Sequence, residues 1–70
     1  MQALSEARPG ETYTIKWMFG VPEVLEFLHS HHVEEGGTIR LIHRCYDSVI
    51  IGIQDKRFVI GDEIAERIKV

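Results

Sequence analysis

His29, His31 and His32 crowd one short stretch, and His43 and Cys45 stand two residues apart further along. Imidazole and thiolate are the side chains that hold zinc and other transition metals, and a thiolate beside a histidine is a nucleophile with its base. On a helix His29 and His32 lie three apart on one face while His31 is rotated away from both, and no spacing ties them to Cys45. Favourable histidines near a helix C-terminus account for the group without a metal. On a strand His43 and Cys45 point the same way, with no third group to orient the histidine and with partial burial at the strand end as their ordinary role. A glycine-rich loop with its lysine is missing, and so is a pair of placed carboxylates. The expectation is a non-enzyme with no resident cofactor or metal.

Surface recognition is the remaining chemistry. Phe19, Phe27, His31, Arg40, Arg44 and Tyr46 are the candidate interface residues, because aromatic and arginine side chains anchor protein interfaces. The competing role is structural: Phe19 and Phe27 complete a small core and the two arginines form a solvated face. Arg40 and Arg44 point the same way on a regular strand and, with Lys56 and Arg57, suggest a basic track for single-stranded nucleic acid. A net charge of −3 weighs against that use.

These side chains must be carried by a single domain, since 70 residues make one small core. Cys45 is the lone cysteine, so no internal disulfide is available and a reducing compartment, the cytoplasm, is expected. The longest apolar run, Val49-Ile50-Ile51-Gly52-Ile53, falls well short of a membrane span, and the first residues do not read as a secretory signal.

Alternation over residues 12–17 predicts a strand with Tyr13, Ile15 and Trp17 inward, Trp17 anchoring the core. Pro22 to His32 reads as a helix with Pro22 at its first position and an apolar stripe of Val21, Val24, Leu25 and Leu28. Leu4 is expected to plug an open end. Thr38–His43, Ser48–Ile53, Arg57–Ile60 and Arg67–Val70 read as strands, with one helical turn over 61–66. In the first of these, Ile39, Leu41, His43 and Cys45 share a face. Val49 to Ile53 would be a self-association hazard if uncovered, which makes a homo-oligomer an expectation of this sheet.

Pro9-Gly10 before Tyr13-Thr14-Ile15, the apolar helix, Val33 followed by Gly36, the Thr38-to-Leu41 strand and the ending Ile64-Ala65-x-x-Ile68-x-Val70 together resemble the FeoA family over nearly the whole chain. The resemblance implies an all-β fold: a small SH3-like barrel with one short inserted helix, residues 1–70 forming the FeoA-like domain. It also implies a noncatalytic interaction module that supports or regulates a FeoB-type ferrous-iron transporter. The partner would be that membrane protein or an associated cytoplasmic protein, with the chain held at the inner membrane through it. Where the family carries a glycine after the helix this chain has His32, and where it carries a proline this chain has Glu35; Gly36 and Gly37 are expected to supply the positive φ slightly later. The helix also lacks the family's lysines and arginines, which predicts a different contact. A stand-alone regulatory or nucleic-acid-binding barrel and a histidine metal sensor are the alternatives.

Overall fold

The computed structural model describes all 70 residues. Strands β1 (Thr12–Thr14), β3 (Thr38–Arg44), β4 (Ser48–Ile53) and β5 (Lys56–Gly61) form an antiparallel sheet in the order β1-β3-β4-β5. A second, two-stranded sheet pairs β2 (Trp17–Met18) with β6 (Ile68–Lys69). Helix α1 (Pro22–Ser30) is inserted between β2 and β3, and a single helical turn, α2 (Asp62–Ala65), separates β5 from β6. This is the mostly-β domain with one inserted helix that the sequence predicts, but its two sheets do not close into a full barrel.

The core lies between the sheets and under α1. Alternation in β4 buries Val49, Ile51 and Ile53 against Ile39 and Leu41 of β3, and Leu28 of α1 closes over them. Leu4, on a 3-10 turn over Leu4–Glu6, is fully buried, as expected of a plug. Ala65 of α2 is buried as well, with Ile64 packed at the margin.

Two expectations are corrected. Residues 12–17 are not one strand, because the chain kinks at Ile15–Lys16 and passes from one sheet to the other. The kink is held by backbone bonds: Ile15 N–H to Gly37 O and Gly36 N–H to Ile15 O, both 2.8 Å, and Lys16 N–H to Lys69 O, 2.8 Å. It shifts the alternation by one, so Ile15 and Met18 are buried and Trp17, expected to anchor the core, is 49% exposed.

The second correction lies in β3. Leu41 pairs with Ile51 but His43 pairs with Ile50, so Ile42 is the extra residue of a β-bulge. Past it the faces exchange: His43, expected on the core face, is exposed, and Arg44 is half-buried. Cys45 is exposed too. The condition set for Val49–Ile53 is not met, since β4 is the interior strand between β3 and β5 and this run is no edge. That position falls to β5.

Helix α1 ends earlier than His32 because its last turn is a Schellman motif. Val33 N–H reaches Leu28 O at 2.9 Å and His32 N–H reaches His29 O at 3.0 Å. This places His32 at the left-handed position, with φ 65°, where glycine is preferred. Gly36 is also positive, at 86°, but it serves the next turn and does not stand in for His32.

Candidate protein-interaction surface

Pro22 opens α1 at its first turn, Val21 precedes it in extended backbone, and Glu23 places an acid beside the positive helix end. Only Leu28 is fully buried, with Val24 and Leu25 at the core margin. Val21, expected on the inward stripe, is exposed because it lies outside the helix at the N-cap. The outward half carries Phe27, 47% exposed.

Phe27 does not stand alone. Its ring centroid lies 4.5 Å from that of His31, which in turn lies 4.9 Å from Phe58 of β5. These are normal separations for tilted aromatic pairs. Nδ1 of His31 is 2.9 Å from Phe27 O, and the Ser30 hydroxyl donates to the same carbonyl at 2.8 Å. The same Nδ1 lies 3.2 Å from the Ser30 hydroxyl oxygen, so the imidazole is fixed at the helix end by two polar contacts. The helix end thus presents an aromatic row held in place.

A second aromatic pair lies before the helix. Trp17 and Phe19 are 5.0 Å apart, and the Lys69 ammonium sits 5.6 Å from the Phe19 ring centroid. That distance is within cation–π range. Phe58, on the same strand face as the buried Ile60, packs against the core, whereas alternation alone places Trp17 there. The signal for Trp17 is the run Trp17-Met18-Phe19, since three successive apolar residues cannot all face one side of a strand.

The remaining candidates are dispersed. Arg40 is exposed and borders a shallow depression with Gly52, Lys56 and Arg57. Arg44 turns the other way: its guanidinium donates to Ser5 O and, at 2.6 Å, to Ala7 O, tying the N-terminal turn to β3. The shared face proposed for Arg40 and Arg44 is broken by the bulge, which removes Arg44 from any basic track. Tyr46 is 100% exposed at the turn between β3 and β4, apart from both aromatic groups. No three histidine, cysteine, aspartate or glutamate side chains converge on a common point.

The FeoA domain family model matches residues 2–70. The chain belongs to the FeoA family. Among solved structures, an iron uptake regulatory protein described as FeoA is 28% identical, with a TM-score of 0.86 over 94% of this chain and 89% of that one. A manganese-dependent transcriptional repressor is 20% identical, with a TM-score of 0.87 over 96% of this chain but 39% of its own. A structure of ScaR with bound Cd2+ is 18% identical, with a TM-score of 0.87 over 97% of this chain and 33% of that one. The FeoA-type chain spans little more than a third of these regulators, and the likeness to them is one of fold. No protein of curated function matches the sequence. FeoA proteins are small accessory domains associated with ferrous-iron transport, and no helix here is long and apolar enough to cross a membrane.

Proposed function

We propose that this FeoA-family chain is a noncatalytic protein-interaction module that acts on a FeoB-type ferrous-iron transporter from the cytoplasmic side. Whole-length membership of the family is the observation that carries the iron-transport role. The surface supports recognition over catalysis: Phe27 and His31 are exposed, stacked in a row on the half-buried Phe58 and held by the His31 Nδ1 contact to Phe27 O, so little side-chain entropy is lost on docking. The absence of basic residues from α1 means that contact here is apolar and aromatic in character, in place of the cationic contact that the family resemblance implies.

The test is ferrous-iron uptake in cells lacking the gene, complemented with the wild-type chain or with Phe27→Ala. Deletion lowers uptake, the wild-type chain restores it, and Phe27→Ala restores it only in part while the purified variant keeps its fold. Unchanged uptake on deletion, together with no saturable binding to the transporter's cytoplasmic portion, removes the assignment.

A further inference from the structure

β5 is a bare edge. Its register with β4 is continuous over six pairs from Ser48↔Gly61 to Ile53↔Lys56, with no bulge and no proline. Residues 56–60 make no backbone hydrogen bond outside the β4 ladder, while Gly61 ends the edge as the N-cap of α2, its carbonyl turned to that helical turn. The hairpin turn is the two residues Gln54 and Asp55, so Ile53 and Lys56 form a hydrogen-bonded closing pair. Alternation along the ladder then turns the N–H and C=O groups of Arg57, Val59 and Gly61 away from β4. Beside them the Val59 side chain is 58% exposed. Natural sheets protect such an edge with a bulge, a proline or a central charge, and β5 has its charges only at its ends.

Those charges are polar along the strand. Lys56 and Arg57 open it, while Asp62 and Glu63 follow its last residue. Glu63 is exposed and Asp62 is half-buried. A second strand of the same sequence laid antiparallel about Val59 brings the basic start of each copy beside the acidic finish of the other. The register is self-consistent. Val59 falls opposite its own copy, and Arg57 falls opposite Gly61, which has no side chain to obstruct the guanidinium. The outward backbone groups then meet outward groups, forming about four new hydrogen bonds once the Gly61 carbonyls are left to α2.

We propose that β5 is a homodimerisation edge at which a second copy of this chain adds antiparallel about Val59, joining two four-stranded sheets into one. The contact is two-fold and isologous, so it closes at two copies and does not propagate. A ribbon of six residues buries less than the roughly 1,000 Å² of a stable interface, so the dimer is weak, with a dissociation constant on the order of 0.1–1 mM. Phe58 of the aromatic row lies on β5 itself, but its side chain stands on the face opposite Val59, and the inference does not depend on the transporter reading.

Sedimentation equilibrium of the purified chain from about 10 μM to about 1 mM is the test. The average mass is expected to rise with concentration toward twice the 8.1 kDa of one chain. It should rise less at high salt, because Lys56, Arg57 and Glu63 are exposed and their interactions screened. Val59→Lys sets like charges face to face on the two-fold and is expected to abolish the rise, with an unchanged melting temperature. Val59→Pro removes only an outward N–H and is expected to do the same. In the wild-type dimer the amides of Arg57, Val59 and Gly61 gain exchange protection. A mass that stays at one chain throughout, or a dimer that survives both substitutions, overturns the proposal. So does protection of these amides only on adding the transporter's cytoplasmic portion, which would make the edge a docking site for a foreign strand.

Discussion

His32 concentrates the departure of this chain from an ideal loop. A β-carbon at φ 65° costs about 1–2 kcal/mol relative to the right-handed region. The position is forced because the Schellman bonds from His32 and Val33 to His29 and Leu28 require that backbone. His32→Gly is therefore expected to raise unfolding stability by about 0.5–1 kcal/mol, the strain relieved exceeding the entropy glycine adds to the unfolded chain. Chemical denaturation checks it, and a loss of stability would refute the capping account. Glu35 compensates locally where the family carries proline: its carboxylate accepts the Met18 N–H at 3.1 Å and pins the loop before β3 to the start of the second sheet. Glu35→Ala is expected to cost about 1 kcal/mol in the same assay.

At the scale of elements, α1 is fastened mainly through one residue. Leu28 is fully buried while Val24 and Leu25 only border the core, so Leu28→Ala is expected to destabilise by about 2–5 kcal/mol. That is a large share of the stability of a 70-residue domain, and thermal melting should show it as a much lowered or lost transition. The periodicities that located α1, β3, β4 and β5 were legible because each is long enough for its period to repeat. Leu4 as a plug was legible on a different ground: it is the largest apolar residue of a short segment with few others to bury. What was hidden were the places where one residue resets the parity. The Ile15–Lys16 kink and the Ile42 bulge are both set by the partner strand, through Gly36, Gly37 and Lys69 in one case and Ile50 and Ile51 in the other. Those errors carried into the site: they put Trp17 inside, set His43 toward the core and gave Arg44 to the surface when it binds Ser5 and Ala7.

For the whole molecule, the arrangement separates tasks by region. The N-terminal turn and Arg44 lock one end, α1 covers the core while presenting Phe27 and His31 outward, and β5 leaves an unpaired edge. Trp17 and Phe19, exposed beside Lys69, sit before the helix, and Trp17→Ala is expected to leave the melting temperature nearly unchanged, unlike Leu28→Ala. The most direct measurement of the proposed role is an isothermal titration of the purified chain into the cytoplasmic portion of a FeoB-type transporter, repeated with Phe27→Ala. Saturable binding that weakens by about tenfold or more in the folded variant is the predicted result. Binding of equal strength for both chains, or none for either, would contradict the assignment of the helix surface as the contact.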